Sequence, residues 1–328
     1  MTKKIPLVRE ITLPNAYPAS LVWQGDTLVD WANGGGRYNL DGSQVGNRFS
    51  FRGFFDTAVA TSDGDYAVVY TKLNTKAVVL RNGQIIREID RSYYCADEYE
   101  YPVALTRLNN GRAVIIHCPD AYNRLEIDDV LTGKRLTSSK QRKPSDIFHS
   151  RLSVSPDGRY LLDAGWVWHP ADTVRVFDIQ IALSNPSHLD GHGLLQEIFA
   201  EESSATFAAD NRLIVALKGL DLEGDEPGEI RVHPLTGDAK SVPTRHRHGT
   251  VFSVTDTLLL ALYEHPHLVD LASGDIVQRW PHISSGVRTS SIMRTDLPQQ
   301  PPLAWDSVKR RLAVAGDGKI SVLLFDEA

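Results

Sequence analysis

LSVSPDGRYLLDAGW, residues 152–166, holds two short extended runs around a tight turn. Leu152 and Val154 mark the first run. Ser-Pro-Asp-Gly then turns the chain, and Tyr160, Leu161 and Leu162 open the second run. Proline presets one turn dihedral and glycine takes the left-handed position, so these residues reverse the chain by their own chemistry. A two-stranded hairpin is marginal alone in water. The stretch therefore asks for further strands.

Six relatives of the hairpin occur elsewhere. They are LVWQGDTLVDW at 21–31, AVATSDGDYAVVY at 58–70, VALTRLNNGRAVIIH at 103–117, TFAADNRLIVAL at 206–217, VFSVTDTLLLALY at 251–263 and LAWDSVKRRLAVA at 303–315. Each is an apolar strand, a turn of Asp, Asn or Gly, and a more apolar strand. A third strand, a second glycine turn and a fourth strand follow, as in AVVLRNGQIIREI at 77–89 and HLVDLASGDIVQRW at 267–280. Seven units begin near residues 18, 56, 103, 151, 203, 250 and 301. Their mean length is about 47 residues, that of a four-stranded propeller blade.

The last unit, LAWD, RLAVAG and KISVLLF, is one strand short. IPLVREITL at 5–13 is an extended run without a hairpin partner. It can supply the missing outer strand and cover an open edge. The sequence thus predicts an all-β, seven-bladed β-propeller of four-stranded antiparallel blades. Residues 1–328 form one domain, and residues 5–13 complete the last blade. Only residues 180–195 suggest a short helical or irregular insertion.

The units resemble WD40-type and related β-propeller repeats. SPDGRYLL at 155–162 with VRVFDI at 174–179, and SDGDYAVV at 62–69, carry the resemblance. It spans nearly the whole chain at blade level. It departs from the WD40 pattern in that no Gly-His pair precedes the first strand. Phe177-Asp178 also stands where Trp-Asp is usual. The family's Asp-His-Ser/Thr-Trp hydrogen-bond network is therefore not carried over, and ring closure is expected to rest on apolar packing between blades.

The chain has 35 Lys and Arg against 41 Asp and Glu, a formal net charge of −6. That balance argues against nonspecific binding to nucleic acid or to an anionic membrane. No apolar run reaches the roughly 18 residues of a spanning helix. MTKKIPLVREITLP lacks the apolar core of a secretory signal. Two cysteines, Cys95 and Cys118, make no disulfide framework. A cytoplasmic protein without nucleic-acid or membrane partners is expected. Acids beside Cys95 should raise its thiol pKa and make it a poor nucleophile.

Propeller topology places first-to-second and third-to-fourth strand turns on one face. Blade-to-blade and second-to-third strand loops lie on the other. The first face has minimal turns, whereas the second has long, chemically varied loops, where function concentrates. Charge alternates around that rim. Arg48 and Arg52 are followed by Asp97, Glu98 and Glu100, then by Lys140, Arg142 and Lys143. Glu201 and Glu202 come next, then Arg245 and Arg247, then Arg288 and Arg294. A rim of both signs suits a peptide or protein carrying both signs, although one exposed pair is worth only about 0–1 kcal/mol.

SYYCADEYEYP at 92–102 sets Tyr93, Tyr94, Tyr99 and Tyr101 among three acids. GWVWHP contributes Trp166, Trp168 and His169, and Phe54 and Phe55 enter from the second blade. Together they predict an aromatic binding patch; packing of half of them between blades is the alternative. His246, His248, His265, His267 and His282 belong to the same rim. His-x-His spacing can turn two imidazoles one way on a strand. Without an HExxH or CxxC motif the four residues His246, His248, His265 and His267 are a weak metal set, and no metal or cofactor is assigned. DLEGDEPGE at 221–229 reads as an acidic loop rather than an EF-hand. Phosphate-loop and GxSxG motifs are absent from the sequence.

These features point to a noncatalytic protein- or peptide-binding scaffold, monomeric or part of a hetero-complex. Its expected binding residues are Arg52, Phe54, Tyr94, Tyr99, Tyr101, Arg142, Trp166, Trp168, His169, Arg245 and Arg247. The alternative is a propeller enzyme or small-ligand binder of hydrolase, lactonase or lyase type. It would use Glu98, Glu100, Glu202, His246 and His248 at the channel mouth.

Overall fold

The computed structural model describes residues 7–51, 54–168, 171–196, 198–218, 228–293 and 295–326. Arg52, His169, Arg294 and most of the 221–229 loop lie outside the described residues. Seven antiparallel sheets succeed one another along the chain. The first holds Val22–Gln24, Thr27–Asp30, Gly36–Asn39 and Gln44–Val45. The last holds Leu303–Asp306, Arg311–Gly316 and Lys319–Phe325, completed by Val8–Pro14 from the other end of the chain. That closing pair is antiparallel and runs from Val8 opposite Phe325 to Pro14 opposite Lys319.

Burial follows strand position. Second strands such as Tyr66–Tyr70 and Ala113–His117 are buried throughout. Both of their faces meet neighbouring blades, so unbroken β-branched and aromatic runs suit them. The outer strand Gln84–Asp90 is mostly exposed and can carry charge. One apolar cluster joins each pair of consecutive blades. Across the closure, Leu13, Ala313 and Ile320 pack with Trp23 and Leu28. The last blade is thereby sealed to the first by the same kind of contact as the other six boundaries, which makes a closed ring of seven blades.

The expected turn chemistry is present. Gly158 has φ +74°. Ser155 Oγ donates to Asp157 at 2.6 Å and accepts from the Tyr160 amide at 2.9 Å. Thr61, Asp63 and Tyr66 repeat this arrangement in the second blade.

Apolar packing between blades is accompanied by buried polar ties within blades. His149 Nδ1 lies 2.7 Å from the Asp163 carboxylate, with both side chains buried. Asp30 accepts from the Ala19 and Ser20 amides and from Ser20 Oγ. Phe177-Asp178 plays no Trp-Asp part. Asp178 caps the helix Ile179–Ser184 through the Gln180 and Ile181 amides and pairs with Arg159 at 2.9 Å. That helix and the 3-10 turn Pro186–Asp190 form the insertion. In the third blade the outermost strand is reduced to a bridge between Asp128 and Arg135.

Candidate binding face

The longest blade-to-blade crossing, residues 280–302, leaves the sixth blade and reaches the opposite side of the ring. Glu264 and Gly286 bridge at its start. Ile292 then bridges Tyr99, and the Met293 amide donates to Glu98 O at 2.8 Å. The Ser291 amide and Ser290 Oγ donate to Asp172 at 3.0 and 2.9 Å. Ser291 Oγ bonds the Ala164 and Gly165 carbonyls. Arg288 pairs with Glu100. A segment tied to the sixth blade and to loops of the third and fourth must pass over the ring axis. The strap therefore runs across the channel mouth, fixed at both sides of the ring.

The 92–102 loop folds around Arg91. This guanidinium donates to the carbonyls of Asn74, Lys72, Ala96 and Tyr99. It also lies 4.6 Å from the Tyr99 ring centre and 5.2 Å from that of Tyr101. Burial pushes the Arg91 pKa down. Tyr99 and Tyr101 are 0% and 1% exposed. Their expected place on the binding surface is corrected: they sandwich a buried cation and pack between blades. Trp166, at 3% exposure, stacks on the buried Phe148 with centroids 4.0 Å apart. A Cβ at Gly165 would collide with the Phe148 carbonyl oxygen, so this ladder needs glycine there.

On this buried floor stand exposed rings. Tyr94 is 47% and Trp168 50% exposed. Tyr94 lies 5.0 Å from Tyr122, 5.7 Å from Phe148 and 6.4 Å from Trp168. Phe148 is 5.6 Å from Trp168, edge to face. The rings form a tilted platform with acids beside it. Tyr122 Oη donates to Asp146 at 2.6 Å, and that carboxylate, with partial burial, pushes the phenol up to about 12. Cys95 packs against the same aromatic cluster. Its thiol is raised by burial first and then by Glu98 and Asp97, which gives charge repulsion a smaller part than expected. Asp97, Glu98 and Asp146 are exposed. Phe54 is exposed as well, but the aromatic contacts in its part of the chain run through Phe49, Phe51 and Phe55.

The other candidates divide. Arg142 is buried and bonds Asp190, Glu126 and the Leu125 carbonyl, which corrects its placement as a rim contact. Arg245 and Arg247 are exposed, and Arg247 meets Tyr263 Oη at 3.4 Å. His248 and His267 are buried with ring centres 6.2 Å apart. Burial holds the His248 imidazole down to about 3, helped by the nearby His267 and His246. His265 Nδ1 is engaged with the Ile283 carbonyl, His246 is exposed, and His282 pairs with Glu10. No set of three or more His, Cys, Asp or Glu poised for a metal occurs among the described residues. Of the candidate acid–base residues, Glu98 and His246 are exposed, Glu100 is tied to Arg288, His248 contacts Thr244 Oγ1 at 3.1 Å, and Glu202 lines a cavity beside the strap. Burial works to raise Glu100, but Arg288, Lys72 and a hydrogen bond from Tyr70 hold it at about 2. It serves as the strap's anchor.

Fold and rim together define a WD40-like, seven-bladed β-propeller. Solved structures agree at the level of fold. Hydrazine synthase of Kuenenia stuttgartiensis superposes with a TM-score of 0.62 at 13% identity, covering 95% of this chain and 96% of that one. The Cps50 (Swd1) beta-propeller domain of Myceliophteria thermophila gives 0.57 at 12% identity, over 96% and 99%. No protein-family model and no curated protein matches the sequence. Among the described residues no helix is long and apolar enough to cross a membrane.

Proposed function

We propose that the protein is a noncatalytic binding module that captures a protein or peptide segment on the platform of Tyr94, Tyr122 and Trp168. The observation that carries this reading is the set of half-exposed rings fixed by a buried aromatic floor. Such rings offer contact area with little conformational entropy to lose. Asp97, Glu98 and Asp146 beside them suit a segment with a Lys or Arg side chain, whose cation can sit over a ring face. The Swd1 propeller domain supports the fold of this reading but not its partner. The test uses an immobilised array of basic, neutral and acidic peptides probed with the full chain, then titration of the peptides retained. Tyr94→Ala and Trp168→Ala should each weaken basic peptides by about tenfold or more. Their melting temperatures should stay within about 2 °C of the parent. Undiminished peptide binding by both variants overturns the assignment. Tyr99→Ala is unsuitable, because that ring belongs to the core.

A further inference from the structure

A second, separate feature lies between the strap and the fifth and sixth blades. It is a cavity of about 410 Å³, within the range of small-ligand sites. Charges of both signs line it. Glu201 and Glu202 stand where the chain enters the fifth blade, and Lys218 ends that blade's second strand. Arg247 comes from the crossing into the sixth blade, and Arg288 from the strap. Val287, Ile292 and Leu297 supply an apolar wall.

Two lining residues have unmet hydrogen-bonding capacity. Arg288 Nη2 is buried without a partner, although Nη1 of the same group holds Glu100. Glu201 Oε2 is buried and makes no directed hydrogen bond, although the Lys218 ammonium lies 3.2 Å away. Glu202 has no side-chain hydrogen bond among the described residues, and Arg247 meets Tyr263 through its hydroxyl and its ring and feels the nearby charges of Glu202 and Glu201. A buried guanidinium nitrogen is costly to leave unpaired, and with carboxylates and cations facing the same space the cavity suits an occupant with both an acceptor and a donor.

We propose that this cavity binds a small zwitterion with an apolar side chain, an α-amino acid or a dipeptide. Its carboxylate is taken by Arg247 and Arg288, its ammonium by Glu202 and Glu201, and its side chain by the wall of Val287, Ile292 and Leu297. A single-charge ligand would leave one half of the set unmet. This inference goes beyond the peptide platform and uses different residues.

The test is calorimetric titration of the full chain with L-leucine and L-leucyl-L-leucine. The deaminated analogue 4-methylpentanoate and the decarboxylated analogue isoamylamine are run beside them. At least one zwitterion should bind, and both single-charge analogues should bind about tenfold more weakly or less. Glu202→Gln and Arg247→Met should each weaken the zwitterion about tenfold while leaving the unliganded melting temperature within about 2 °C. Trp168→Ala should leave zwitterion binding unchanged, which separates this site from the platform. No binding of either zwitterion at millimolar concentration overturns the proposal. Equal binding of a single-charge analogue, undiminished binding by both cavity variants, or loss of binding in Trp168→Ala also overturns it.

Discussion

Arg91 shows how one side chain decides which tyrosines face solvent. Its guanidinium gathers carbonyls from two segments and lies against two rings. Arg91→Met should leave those carbonyls without a donor and cost about 2–4 kcal/mol in urea unfolding. It should also raise hydrogen exchange across 92–102 while the blade strands stay protected. The histidines give a pH prediction. His248 is held neutral in the folded chain down to about pH 3, whereas an unfolded histidine takes its proton near 6.5. Its contribution is fully present above about pH 6.5 and is lost as pH falls toward 3. Glu100, held at about 2, adds a loss below about pH 4.5. The urea midpoint should therefore fall between pH 7 and 4.5, and His248→Gln should flatten that part of the profile. A wild-type profile flat across this interval would refute the assignment. Residue type alone could not separate Tyr94 from Tyr99, because both stand in one acidic, tyrosine-rich run. The signal that separates them is Arg91, eight positions before Tyr99, whose guanidinium donates to the Tyr99 carbonyl.

At the scale of elements, the strands were legible because their causes are local. Turn residues at fixed offsets and unbroken apolar second strands are properties of a dozen consecutive residues. The strap was not legible, since Ser291 and Asp172 meet only after the ring has brought distant blades together. Two predictions belong here. Asp172→Ala removes the acceptor shared by Ser203, Ser290 and Ser291. Amide exchange at 290–293 should then rise by about tenfold or more, with the platform rings unaffected. Leu13→Ala, in the strand that completes the last blade, should cost about 2–5 kcal/mol, because Leu13 is buried among Trp23, Leu28 and Ile320. A cost below about 1 kcal/mol would show that Val8–Pro14 is not packed into the ring.

For the whole molecule, the two faces of the ring use their polar side chains differently. The minimal-turn face is laced by ties between neighbouring blades. Arg107 reaches Asp63 and Asp65, Asn211 bonds Asp157, and Arg311 and Lys309 hold Asp26. Those turns are committed to each other. On the opposite face, Arg142 is consumed by internal pairs, and Glu100 is held by one of the two terminal nitrogens of Arg288. Arg48, Asp97, Glu98, Lys140, Lys143, Arg245 and Arg247 nevertheless remain exposed, so charge of both signs persists on this face around the platform and the cavity beside the strap.

Sharing one blade between the two ends of the chain also sets an order of events during synthesis. Val8–Pro14 leaves the ribosome before any of the blades, yet the strand it pairs with along its backbone is Lys319–Phe325, made after the other six blades. Until then the first blade has no seventh blade to seal against, and Val8–Pro14 waits unmated. Completion is thus a late, long-range capture, and protection of that strand from chaperones and proteases becomes a timing problem rather than one of affinity.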